Sequence, residues 1–498
     1  MSSNSALYSE YKNTMQKIAD VKYSSAVLQW DQETYLPPKG ADARGRQIAT
    51  LSEVAHEMFT TEKVGNMLQE LLSKDLPEDQ KRNVELSWDD FSRLKKLSPE
   101  FVREMSEVVS GSFHAWMEAR KLNDFKVFES KLALVVELKR QEADLYGYSD
   151  HPYSALMNEY EKGATVAMVD RVFEDVKGPL QSLLNYVQQG PSIDESFLKG
   201  YFPKQQQWEW GIYIAKQLGF DFDAGRQDIS EHPFTTNFSS NDVRITTRID
   251  EYDVANATWS TIHEVGHALY EQGLPDTAYG LPLGEYASLS IHESQSRLWE
   301  NCLGRSAGFW NFYFPKLSDY FPQQFKTVSK EQFLKAINKV QPSLIRTEAD
   351  ELTYHFHVMI RYELEKRLIE GSLKVKDIPV YWNEQYKALL GLQVPDNKRG
   401  CLQDVHWSHG SFGYFATYSL GSFYAAQFWE QAKKDIPNLQ LEISTEGKTS
   451  SLLSWLRSNV HRYGRFYTSD ELCKLITGKS LDSAVFVSYL KQKLGNLQ

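Results

Sequence analysis

Cysteine is scarce in this chain: Cys302, Cys401 and Cys473 are the only three among 498 residues. An odd, scattered count argues against a disulfide framework and suits a reducing compartment, so a cytoplasmic location is expected. Long apolar runs are missing as well. No stretch reaches the roughly eighteen apolar residues that a membrane span needs, and the polar, mixed residues 1–20 offer no apolar core for a signal peptide. Basic clusters are equally absent. Lys and Arg number 55 against 66 Asp and Glu, for a formal net charge of −11, and no Arg-rich stripe is present, so neither nucleic acid nor an anionic membrane is an expected partner. A Gly-x-Ser-x-Gly elbow is also lacking, which removes the usual signature of a metal-independent serine hydrolase.

Aromatic residues are plentiful, at 13% of the chain, and rings in such number pack long helices together. Segments 124–146, 170–188 and 331–370 carry apolar residues at three- and four-residue spacing with charges between them, which predicts helices. In the last of these, Pro342 should break or kink the helix and Gly371 should end it. The clearest strand lies over 242–249, where Val243, Ile245 and Thr247 alternate with Arg244, Thr246 and Arg248. Breaks fall near 36–40, 190–194, 273–284 and 394–400, and none is a flexible linker. The expected fold is mainly α: one large helical body, with two lobes facing a groove and a small β-sheet beside the helix described next.

The chemistry concentrates in His263-Glu264-Val265-Gly266-His267. Two histidines four apart lie one turn above each other on a helix, so both rings can reach one ion. Asp253 is placed to cap that helix. With 12 histidines in the chain, chance would produce H-E-x-x-H in roughly two of a hundred such sequences. A third ligand is expected at Glu293, which opens another helix beyond a Gly/Pro-rich loop, although Ser290 and Glu293 also have the spacing of a capping box. Two neutral imidazoles and one carboxylate would leave a divalent ion one open position for a water. The ion would lower that water's pKa toward ~7 and polarise a peptide carbonyl. Glu264, on the same helix, is the expected general base.

Further blocks resemble those of the carboxypeptidase Taq family of metallocarboxypeptidases. They are Trp30-Asp31-Gln32-Glu33-Thr34 with Pro37-Pro38, His232-Pro233-Phe234, Asp242-Val243-Arg244-Ile245-Thr246, His292-Glu293-Ser294-Gln295, Ile345-Arg346-Thr347-Glu348-Ala349-Asp350 and Gly400-Cys401-Leu402-Gln403-Asp404-Val405-His406-Trp407. The resemblance covers most of the chain and implies a single metallocarboxypeptidase domain over 1–498, helical, with a deep active-site groove. It further implies release of single residues from peptide C-termini with broad specificity, poor tolerance of C-terminal acidic residues or proline, a homodimer, and zinc as the metal with cobalt as a substitute. One departure is visible: Ala416 stands where the family has proline.

An exopeptidase acting at the C-terminus needs a cation for the terminal carboxylate, best supplied by an Arg fork. Arg346 is one candidate. It precedes Asp350 by one helical turn, and Tyr354 and His357 would continue that face as a groove wall. Arg244, on an expected edge strand, is the other. His406 is a candidate to stabilise an oxyanion or leaving group, and Tyr414 and Tyr418 are candidate phenol donors. Asp404 or Glu300 is expected to hold the second nitrogen of a ligand imidazole. His355, His409 and His461 read as structural. Two rival functions stay open at this point: an endo-acting oligopeptidase with the same metal chemistry, and a peptide-binding protein without chemistry.

Overall fold

The computed structural model describes residues 3–495 and is mainly helical, with twenty-one α-helices and one three-stranded sheet among the described residues. No helix among them is long and apolar enough to cross a membrane. The three cysteines are buried and form no disulfide. The chain forms two compact units. The first takes the residues up to Lys95, then 194–337 and 424–481. The second takes 96–193, 338–423 and the described residues from Asp482 onward.

In the first unit, the long helix Ser3–Thr34 packs along Ala41–Phe59. Its Tyr11, Met15 and Ile18 join Leu68, Leu71, Val84 and Phe91 in one apolar cluster that also receives Leu281 and Leu283. A second, aromatic cluster supports the helix Val254–Glu271. Trp259 lies 5.9 Å from Trp310 and 6.4 Å from Phe333, and Trp310 in turn stacks on Trp210. Burial of such rings gives this helix a rigid back. Asp253 caps it as expected, its Oδ1 accepting the Ala255 and Asn256 N–H groups.

The sheet consists of β1 (Gly225–Ile229), β2 (Thr235–Ser239) and β3 (Asp242–Thr247), in the order β1-β3-β2. β3 runs parallel to β1 and antiparallel to β2. The strand expected over 242–249 is therefore real, but it is the central strand and not an edge. A parallel partner some twenty residues upstream occupies the side that local sequence leaves open. Val243 and Ile245 are fully buried.

In the second unit, helix Tyr354–Glu370 is buried on most of its surface, including His355, His357, Arg361 and Glu365. The segment 331–370 is broken around Pro342, as expected, and its second helix ends at Gly371. Lys330–Ile337 and Tyr354–Glu370 are separate helices, and residues 338–353 between them hold only a 3₁₀ turn, Arg346–Glu348. Pro342 cannot donate a backbone hydrogen bond, and Asp350 takes the open backbone donors at the second start. Its Oδ1 accepts the Leu352 and Thr353 N–H groups, and its Oδ2 accepts Thr353 Oγ1–H and the Gln341 N–H.

Candidate metal centre

His263, His267 and Glu293 converge in the first unit. One ligand atom from each lies within 4.8 Å of the other two. His263 Nε2 stands 3.9 Å and His267 Nε2 3.5 Å from Glu293 Oε2. Ligands about 2.1 Å from a shared tetrahedral ion are about 3.4 Å apart, so the donor set fits a divalent metal with small side-chain adjustments. The two helices meet at Gly266, where a Cβ would lie 2.6 Å from Ser296 Cα. The glycine of the H-E-x-x-H segment is thus what allows Glu293 to approach the histidines.

Each imidazole has its other nitrogen committed. His263 Nδ1 lies 2.9 Å from Glu300 Oε2; a carboxylate only accepts, so Nδ1–H donates and Nε2 keeps its lone pair. Glu300 is therefore the imidazole's partner, and Asp404, the other candidate, is engaged elsewhere. Glu300 stands on a π-helical turn, Leu298–Leu303, that continues helix Leu289–Arg297. For His267 the partner is another histidine. His267 Nδ1 is 2.6 Å from His292 Nδ1, and His292 Nε2 is 2.7 Å from Glu271 Oε1. Because Glu271 only accepts, His292 donates from Nε2 and receives the His267 Nδ1–H. Asn237 of β2 then donates to Glu271 Oε2 at 2.8 Å.

Glu293 accepts from Arg297 Nε at 2.6 Å. It does not form the capping box that its spacing with Ser290 suggests; Ser288 caps the helix by accepting the Ile291 N–H. Burial works to raise the Glu293 carboxyl, but Arg297 and the two histidines outweigh it and hold it well below the usual carboxylate range. Glu300 is held low in the same way by Arg297, His263 and Arg305, again against burial. Burial pushes His267 down to about 3, so its imidazole is neutral, as a metal ligand must be. Glu264 accepts from Thr235 Oγ1 at 2.6 Å, and burial raises its pKa above the ordinary Glu value.

Arg244 is paired within its own strand. Its guanidinium is bidentate to Asp242 at 2.9 Å and stacks on Trp30 and Phe238, at 4.3 and 4.8 Å from the ring centres.

The other candidates lie in the second unit. Arg346 is buried on its 3₁₀ turn, not on a helix face with Asp350 and Tyr354. Its Nε donates to Asp404 Oδ1 at 2.9 Å and its Nη1 to Tyr354 Oη at 3.1 Å. Among the described residues, its Nη2 has no hydrogen-bond partner. Arg361 Nε donates to the other Asp404 oxygen at 2.6 Å. Two guanidinium groups thus share one carboxylate, leaving an excess positive charge. His406 Nε2 lies 3.3 Å from Tyr418 Oη, and the Tyr414 and Tyr418 rings are 5.1 Å apart. Burial pushes His406 down to about 3, with Arg346 adding to the effect. His355 and His461 are buried against Ser419 and Gln295.

Several positions around the candidate ligands are missed by a reading of the sequence. His292 and Glu271 have a signal that could have found them: Glu271 continues the 263, 267 series by one more turn, and His292 adjoins Glu293. Arg297 is signalled by its i,i+4 spacing from Glu293, whereas Thr235 and Arg361 carry no local signal.

A helical fold holding two imidazoles and a carboxylate, with a buried glutamate beside them, is the arrangement of a metal-dependent peptide hydrolase. Comparison with known proteins gives the family. The family model for the Carboxypeptidase Taq (M32) metallopeptidases matches residues 10–494. Carboxypeptidase 1 of Bacillus subtilis (strain 168) is 37% identical over 491 residues, covering 98% of each chain. Among solved structures, the M32 carboxypeptidase of Deinococcus radiodurans R1 is 39% identical with a TM-score of 0.97, covering 99% of each chain. The structure of a protein called CHT is 56% identical with a TM-score of 0.97, covering 98% of this chain and 99% of that one. The chain belongs to the carboxypeptidase Taq (M32) family and is a metallocarboxypeptidase.

Proposed function

We propose that the protein removes single amino acids from the C-termini of peptides with broad specificity, using one zinc ion held by His263, His267 and Glu293, with cobalt able to replace it. The carrying observation is the approach of those three ligand atoms within 4.8 Å of one another, two of them on the helix that also carries Glu264. Once bound, the ion supplies a Lewis acid that polarises the scissile carbonyl and brings a water's pKa toward ~7. Glu264 is the general base. Thr235 engages its Oε2, so Oε1 takes the proton of the attacking water and passes it to the leaving amine. Its raised pKa brings the donor and acceptor roles closer in energy.

We assign the terminal carboxylate to Arg346 in preference to Arg244. Arg244 is held bidentate by a carboxylate of its own strand, whereas Arg346 shares the single Asp404 carboxylate with a second arginine, which leaves positive charge in excess there. His406 and Tyr418 are assigned to the developing oxyanion and Tyr414 to a substrate contact. Asp350 serves by fixing the turn that carries Arg346. The chain acts as a single metallocarboxypeptidase domain, a homodimer as the family resemblance implies. Its three thiols fit the cytoplasm.

The test is mass spectrometry of N-acetylated peptides incubated with the purified protein, with chelator, and with chelator followed by zinc or cobalt. A ladder of single-residue losses that vanishes on chelation and returns with metal is expected. Internal fragments would move the assignment to an endo-acting oligopeptidase, and no metal-dependent cleavage would leave a binding role.

A further inference from the structure

Helix Tyr354–Glu370 carries a carboxylate that the chemistry above does not use. Glu365 is fully buried, and its two oxygens collect donors from three segments. Tyr153 Oη–H donates to Oε2 at 2.6 Å, the Gly413 N–H donates to the same oxygen at 2.9 Å, and the Trp407 indole N–H donates to Oε1 at 2.8 Å. None of the three donors is charged. Two of them belong to the segment 404–418, which also carries Asp404, His406, Tyr414 and Tyr418. The third belongs to helix Pro152–Tyr160, on which Gly413 rests with φ +94°. A Cβ at 413 would stand 2.7 Å from Leu156 C and Met157 N.

We infer that Glu365 is a positioning residue: by accepting on both oxygens, its carboxylate fixes segment 404–418 in the conformation that presents His406, Tyr414 and Tyr418 to the substrate. The inference rests on the roles assigned above to that segment.

The donor count makes the requirement specific to a carboxylate. Glutamine has the same shape but one oxygen. With its amide nitrogen toward the indole, the Trp407 N–H loses its acceptor; with the amide reversed, the Gly413 N–H loses its own. Only Tyr153 can rotate its hydroxyl and accept. Either way a buried N–H is orphaned, and the segment must shift to satisfy it.

Protonation loosens the same hold less severely: a neutral carboxyl keeps lone pairs on both oxygens but accepts more weakly than a carboxylate, and its O–H needs Tyr153 to turn and accept. Burial pushes the Glu365 carboxyl up to about 7, against the lowering effect of its three hydrogen bonds. Burial raises the phenols of Tyr153, Tyr160 and Tyr362. Burial also works to raise Asp404, but Arg361 and Arg346 hold it low. On helix Lys126–Tyr146, Lys139 is paired with Glu142.

The experiment is steady-state kinetics on an N-acetylated peptide from about pH 5 to about 9. Zinc-loaded wild type is compared with Glu365→Gln and Tyr153→Phe, with zinc affinity measured in parallel. His406→Ala and Tyr418→Phe serve as references. Wild-type KM is expected to rise as pH falls through about 7. Glu365→Gln should raise KM on the order of tenfold or more and lose that break, with zinc affinity unchanged. Tyr153→Phe keeps the carboxylate but removes a bond that lowers its pKa, so the break should move to higher pH. A wild-type KM with an intact break in Glu365→Gln overturns the inference. If that variant fails to fold, an unmoved break in Tyr153→Phe overturns it instead. Wild-type kinetics in both His406→Ala and Tyr418→Phe would remove the underlying roles, and the inference with them.

Discussion

Gly266 and Ser296 are in backbone contact: a Cβ on the first would stand 2.6 Å from the Cα of the second and 2.9 Å from the Gln295 carbonyl oxygen. Backbone cannot step aside as a flexible side chain can. This contact sets the spacing between the helix bearing His263 and His267 and the helix bearing Glu293.

Gly266→Ala therefore separates two opposing effects. Helix propensity alone favours alanine by about 1 kcal/mol, while overpacking in a close helix contact costs about 1–3 kcal/mol. The contact should dominate. Tm is expected to fall, and zinc affinity to fall with it, because the helices part at the level of the ligands. Calorimetry and chelator competition check the two effects separately.

Under the proposed assignment, Glu300 acts on the metal through His263. Glu300→Gln removes the charged acceptor of His263 Nδ1–H and one carboxylate near Arg297 and Arg305. Zinc affinity should drop roughly 10- to 100-fold with little change in secondary structure. Competition against a chromogenic chelator reads the effect directly.

Asp404 sits between Arg346 and Arg361, both buried. Asp404→Asn strands two guanidinium groups and should cost about 3–5 kcal/mol. Burial works against its charge, but Arg361 and Arg346 lower its folded pKa below the ordinary value. Its contribution is then present above the unfolded pKa and lost as pH falls through the folded one. The Tm gap between wild type and variant should be flat across neutral pH and close only in strong acid.

Glu365 has the opposite sign. Its folded pKa, pushed up to about 7 by burial from an ordinary 4.5, means that the folded chain holds a proton which the unfolded chain releases earlier. Wild-type stability is thus lost as pH rises between those values. The Tm advantage of wild type over Glu365→Gln should be largest near the lower value and smallest above the upper one. Thermal melts in matched buffers check this.

The convergence of the three candidate ligands was legible because its geometry is local. His263 and His267 share a face by helical period, Asp253 is a capping residue by type, and Glu293 follows on the next helix. What lay hidden depends on distant pairing. Nothing near Arg244 announces β1 on the far side of its strand, so the strand read as an edge. Pro342 marks the break in 331–370, but its length is hidden, because Leu344 and Ile345, partly buried in the intervening stretch, keep the apolar spacing going. Glu300 is one of the two candidates the sequence offers for the imidazole's partner, and the choice turns on a π turn that no residue spacing foretells. The His267–His292–Glu271 series was visible as residues but not as contacts, since two of its members lie on different helices.

The most direct test of the central claim is zinc binding to metal-stripped protein, measured by calorimetry in wild type, His267→Ala and Glu293→Gln. One tight site per chain in wild type is expected, with loss of that site in both variants and loss of C-terminal residue release alongside it. Tight, stoichiometric zinc binding that survives both substitutions would contradict the assignment of His263, His267 and Glu293 as the metal centre.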